Sequence, residues 1–189
     1  VMQVKFDPQK FADTEAIYEY GARYWEKDRE MQPAWGEEID LLIKTREASS
    51  DGDAAELGRQ FLAQRETRRR EFGLDADLIA YEVRLEWLEG IAKYVELRSW
   101  ELAVSNHGYL SLPEMVSDPD FKDYETFESH WNQEMRTARE QANREGDTRF
   151  YYTGMLQAYL LDRLMPDWKE RFTEEGIHLE DLLHEAVTP

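Results

Sequence analysis

Apolar residues recur at three- and four-residue spacing along almost the whole chain, and no stretch alternates with the two-residue period of a strand. The pattern predicts an all-α fold, a helical bundle of about six or seven helices forming a single domain over residues 1–189. A first helix is expected from about Asp7 to Met31, with Asp7 as N-cap, Pro8 in the first helical position and Pro33 as the stop. A shorter helix over about Trp35 to Ala48 ends in "SSDGD", whose residues favour turns. The third helix, about Ala54 to Phe72, turns Leu57, Phe61 and Leu62 inward and ends at Gly73. Asp75 caps a long fourth helix that reaches about Val104, and "SNHGYLSLPEMVSDP" after it reads as a long loop. A charged helix from about Asp120 to Arg144 follows, then a break at Gly146 and an aromatic-rich helix from Thr148 to Met165. Pro166 interrupts that helix, and the last one starts near Gly176 or His178.

Composition sharpens this picture. With 13% aromatic and 41% hydrophobic residues the chain can fill a core. Its 41 acidic against 23 basic residues give a formal charge of -18, which repels phosphate backbones and anionic lipid, so neither nucleic acid nor a membrane is an expected partner. No apolar run approaches the length that spans a bilayer, and the opening "VMQVKFDPQKF" lacks the apolar centre of a signal peptide. The expectation is a soluble protein, with the cytoplasm favoured over other compartments. The absence of cysteine excludes disulfides, thiolate metal sites and cysteine nucleophiles. The basic run "RETRRRE", Arg65 to Glu71, interleaves glutamates and reads as a solvated helix end in preference to a phosphate site.

The fourth helix carries the candidate chemistry. At about 100° per residue, Glu82, Glu86, Glu89, Lys93, Glu96 and Trp100 fall within about 40° of one line, on a helix otherwise apolar round most of its girth. One reading makes this stripe the solvated edge of a core helix, with Lys93 bonding Glu89. The other puts one or more of its carboxylates in a cleft as metal ligand or acid/base. Gly90, directly after Glu89 in mid-helix, costs about 1 kcal/mol relative to alanine and so marks a close backbone approach.

The segment "RLEWLEGIAKYVEL" resembles the helix that supplies the third zinc ligand in bacterial gluzincin-type metallopeptidases, where Glu-Gly-(Leu/Ile)-Ala-x-Tyr follows a His-Glu-x-x-His helix. The resemblance extends into "FLAQRETRRREF" and "YEVRLEW" and, downstream, into "FYYTGMLQAYLLDRLMPDWKERF", covering about Phe61 to Trp100 and Phe150 to Phe172. It implies Glu89 as a zinc ligand, zinc as the cofactor and a peptide as substrate. The chain departs from the family pattern in one decisive respect: no histidine precedes His107, so no His-Glu-x-x-His can precede Glu89. A catalytic zinc needs three protein ligands. The expectation is therefore that these residues bind no zinc alone, either because the chain is the C-terminal part of a longer protein or because the metal has been lost.

Other candidates complete the inventory. His107, in the long loop, could fold over the acidic helix, and Tyr151 or Tyr152 could donate to a developing oxyanion. Gly154 marks a place where another helix could approach, and Asp162 and Arg163 are candidates to pair with Arg84 or Glu86. His178 and His184 follow Glu175 and Asp181 by three residues, a spacing found in di-metal bundles, but near a chain end they read as surface histidines. The rival to a peptidase-like domain is a non-catalytic helical protein that binds a protein partner or small ligand, with homo-oligomer formation as one form of it. The density of Trp and Tyr motivates that rival.

Overall fold

The structure, a computed structural model, describes residues 12–13, 15–26, 28–106, 111–121, 127–174 and 176–188. Among these every regular element is helical, in more segments than the six or seven expected because short turns of helix punctuate the connections. A 3-10 turn at Ala16–Tyr20 leads into α1, Gly21–Trp25, and then α2, Asp28–Glu47. Next come α3, Asp51–Glu71, and α4, Ala76–Leu85, which runs through a π-helical turn, Glu86–Gly90, into α5, Ile91–Ser105. The rest are α6, Pro113–Val116; α7, Phe127–Gln141; α8, Thr148–Leu164; α9, Trp168–Arg171; and α10, Leu179–Val187.

Local signals fix many of these ends. Ser50 caps α3 by accepting the Asp53 N–H at 3.1 Å, so "SSDGD" forms a cap and first turn as well as a break. Gly73 ends that helix with φ at 63°, a left-handed conformation that suits glycine. Asp75 accepts the Leu78 N–H at 3.1 Å and starts α4 as expected. The proposed cap at Asp7 and Pro8 lies outside the described residues.

Pro33 does not end a helix. It sits inside α2, which joins the end of the first expected helix to the second, while the earlier described part of that first helix is broken into the 3-10 turn and α1. Met31, Trp35, Ile39 and Leu42 are all buried at helical spacing across the proline. The burial of those side chains outweighs a lost hydrogen bond and ring clash worth about 3 kcal/mol. The expected long loop from Ser105 likewise contains a single helical turn, α6.

The core gathers around α8, whose Phe150, Met155, Leu156, Ala158 and Leu161 are buried. At one end Phe150 meets Tyr24, Tyr81 and Trp35 edge-on, with ring centres 5.5 to 5.7 Å apart. At the other, Tyr159 meets Trp131 and Tyr94 at 4.9 and 5.3 Å. Among the described residues no helix is long and apolar enough to cross a membrane.

Where α8 crosses the π turn the backbones touch. A Cβ on Gly90 would lie 2.8 Å from the carbonyl carbon of Gly154, and one on Gly154 would lie 2.8 Å from the Gly90 Cα. Both glycines therefore do what their placement implied, and each is the partner of the other. Gly154→Ala should destabilise the protein by about 1–3 kcal/mol through forced separation of the two helices. By contrast, at Gly36 an added Cβ meets only Ala142 at 4.0 Å, so Gly36→Ala should be neutral or stabilising by up to about 1 kcal/mol. Urea unfolding of the two variants checks the contrast.

Candidate functional site

Glu89 lies in the π-helical turn, half-buried, between two carboxylates of the same stripe with different surroundings. Glu86, one turn before it, is fully buried, whereas Glu96 is exposed. Turns of this type insert an extra residue into a helix and recur at functional sites. Tyr18 donates its hydroxyl to Glu89, and Tyr151 of α8 bonds the same carboxylate. Tyr81 donates to Asp147, the residue before α8, so two carboxylates and three phenols share this corner.

The electrostatics settle what these phenols can do. Burial, then the hydrogen bond to Glu89 and its charge, push Tyr151 up to about 12. Tyr18 and Tyr81 are raised further, again by burial first and then by their carboxylate partners. At neutral pH all three are protonated donors, able to orient a carboxylate or bond an oxyanion and unable to act as bases.

The structure brings Glu89 and Tyr151 together and separates Tyr152 from them. Tyr152 donates to Glu134 of α7 at 3.0 Å, on a different side of α8. His107 lies outside the described residues. Lys93 bonds Glu96 and Glu134, each at 3.1 Å, and not Glu89. Asp162 and Arg163 do not reach Arg84 or Glu86. Asp162 accepts from Tyr94, Trp168 and Lys169, while Arg163 binds Asp51 and the carbonyls of Thr45 and Ala48.

A catalytic zinc does not fit the described residues around Glu89. They supply one ligand position, a second carboxylate and protonated phenols, with no imidazole among them, against the three ligands such a metal requires. A possible donor set among the described residues lies elsewhere: atoms of Glu96, His130 and Glu134 come within 4.8 Å of one another. The Lys93 ammonium already bridges those two carboxylates, and the Trp100 ring stacks on His130 at 3.9 Å. One of the cluster's two carboxylate charges is thus already met by the chain's own cation. His178 donates its backbone N–H to Asp181 at 2.8 Å at the start of α10, and His184 is exposed; Glu175 lies outside the described residues.

Beneath Glu89 lies what sequence reasoning missed. "RETRRRE" is not a solvated helix end: Arg65 and Arg68 are fully buried, and Arg69 is largely so. Arg65 forks onto Glu86 at 2.6 and 2.8 Å and reaches Glu38 at 3.1 Å. Arg68 joins Glu38 to Glu82, and Arg69 joins Glu82 to Glu180 of α10. Tyr24, Thr153 and Gln157 donate to the same carboxylates. The solvated-edge reading of the stripe therefore fails at Glu82 and Glu86, because the face of α3 opposite them carries arginine. The signal was available, since residues 61, 62, 65, 68 and 69 continue one helical face from Phe61 and Leu62.

Comparison with known proteins adds no relative to this geometry: no family model, no curated protein and no solved structure matches the chain.

The buried network makes stability depend on pH. Burial disfavours the charged form of Glu82, but Arg68 and Arg69 outweigh it and hold the carboxyl well below its usual range. Glu180 is lowered in the same way, by Arg65 and Arg69 against burial. Both groups bind fewer protons folded than unfolded, so their contribution is complete above about pH 5 and is lost progressively as pH falls. The melting temperature should drop on acidification below about pH 5. Glu82→Gln, which leaves two buried guanidiniums short of a carboxylate, should cost about 3–5 kcal/mol near neutrality. Denaturant titrations at about pH 7 and about pH 4 should show that gap narrowing.

Proposed function

We propose that this helical chain is the third-ligand portion of a zinc metallopeptidase-like protein, with Glu89 as the ligand position, and that it is not catalytic by itself. The observation that supports this most is the setting of Glu89. Its carboxylate is accessible, sits on a π turn whose neighbour Glu86 is locked in the core, and is oriented by hydroxyls from Tyr18 and Tyr151. Outer-shell donors of this kind orient a ligating carboxylate before a metal arrives. The likeness of "LEGIAKYVEL" to the gluzincin third-ligand helix supplies the chemical identity of the metal. The substrate in this reading is a peptide, and Tyr151, already beside Glu89 and protonated, is the donor placed to assist; Tyr152 is engaged with Glu134.

The two histidine ligands have to come from residues other than those around Glu89. The test is zinc content and peptide hydrolysis of the product of the complete coding sequence, measured by elemental analysis and a fluorogenic peptide. About one zinc per chain is expected, lost in Glu89→Gln, whereas the 189 residues alone should neither hold zinc nor cleave peptide. A complete product without zinc, or one that keeps its zinc after Glu89→Gln, overturns the proposal.

A further inference from the structure

A second site stands apart from Glu89 and does not depend on its reading. A cleft of about 670 Å³ opens where the end of α2 meets α5, α7, α8 and α9. Such a volume lies in the range of small-molecule sites. In a chain of charge -18 its lining is unexpectedly basic, for Arg46, Arg98, Arg163 and Lys169 all face it. Among the described residues three carboxylates answer them, Asp162 in the lining and Glu101 and Asp51 beside it, which leaves one positive charge over.

That surplus can be assigned to one residue. Lys169 is bonded to Asp162. Arg163 closes the C-terminal end of α2 through the Thr45 and Ala48 carbonyls, each at 3.0 Å, and binds Asp51 at 2.8 Å. Arg98 is bonded to Glu101. Arg46 differs. Its guanidinium lies over the Trp131 ring, 4.4 Å from the ring centre, and its paired carboxylate, Glu101, is 3.8 Å away, beyond hydrogen-bond reach. The side chain is 39% exposed, so its donors are open to a solute. A planar fork held on an indole is preorganised to grip a carboxylate through two parallel hydrogen bonds. Trp131, Leu156 and Pro166 give the cleft an apolar portion beside that fork.

The geometry points to this cleft as a binding site for a small organic monocarboxylate with an apolar body, its acid group held by Arg46. A single surplus charge suits a monoanion; a phosphate dianion would meet Asp162, Glu101 and Asp51 with only one cation in excess.

Isothermal titration of the full chain with phenylacetate, its neutral analogue phenylacetamide and phenyl phosphate tests the assignment. Phenylacetate should bind saturably at one site, and phenylacetamide should not. Arg46→Met, which keeps an apolar side chain of similar reach and loses the fork, should weaken binding about tenfold or more. Glu101→Gln, which removes the competing carboxylate and leaves Arg46 in place, should tighten it; circular dichroism confirms that each variant is folded. No saturable heat up to ~10 mM phenylacetate, equal binding of phenylacetamide, or unchanged affinity in either folded variant overturns the proposal. Tighter binding of phenyl phosphate than of phenylacetate overturns it as well.

Discussion

Three arginines on one face of α3, buried against four glutamates from four other segments, are the constraint around which this protein is arranged. Arg65, Arg68 and Arg69 meet Glu38 of α2, Glu82 of α4, Glu86 of the π turn and Glu180 of α10. Charges removed from water carry a desolvation cost of several kcal/mol each, and only a complete set of partners in good geometry offsets it. The network meets that condition. The extra carboxylate is matched by neutral donors, with Thr153 and Gln157 of α8 both bonded to Glu86 and Tyr24 of α1 bonded to Glu82. Aromatic faces help as well: Arg68 lies 3.9 Å from the centre of the Trp35 ring and Arg65 4.4 Å from that of Phe61. An incomplete version would be worse than an apolar core, so the network selects one arrangement of the helices.

The position of Glu89 follows from this. The π turn is held on two sides, by Arg65 gripping Glu86 within the core and by Gly154 pressed against Gly90. Between those two anchors Glu89 is left at the edge, where Tyr18 and Tyr151 reach it. A carboxylate placed like this has little conformational freedom to lose when it binds something. Rigidity of this kind, built on helices and backed by a buried layer, is what lets a ligand group act at a fixed position.

Much of the fold was legible because its signals are local. Asp75, Ser50 and Gly73 announce helix ends through chemistry that each residue carries with it. Gly90 and Gly154 announced a close approach, since a glycine inside a helix carries a cost that a contact explains. Pro33 misled for the converse reason: its local penalty was smaller than the gain from burying Trp35 and Ile39 on a continuous helix. The charged residues were hardest to read. Arg65, Arg68 and Glu82 look like surface residues by type; the helical face shared with Phe61 and Leu62 hints otherwise, but only the packing of α3 on α2, with Glu38 meeting Arg65 and Arg68 and Glu82 meeting Arg68, turns them into core. Tyr151 and Tyr152 are adjacent in sequence, yet they face different partners, and only the packing of α8 distinguishes them.

The acceptors that complete the arginine set are spread widely along the chain. Glu180 lies 111 residues beyond Arg69 and 115 beyond Arg65. Chains emerge from the ribosome N-terminus first, so the guanidiniums of α3 are made long before the last of their carboxylates. Until α10 is available, Arg69 can meet Glu82 and has no second acid, and the apolar surface around α8 lacks Leu179, Leu182 and Leu183. The core of this protein cannot be finished in stages. Its last short helix carries the charge that lets the earlier ones close.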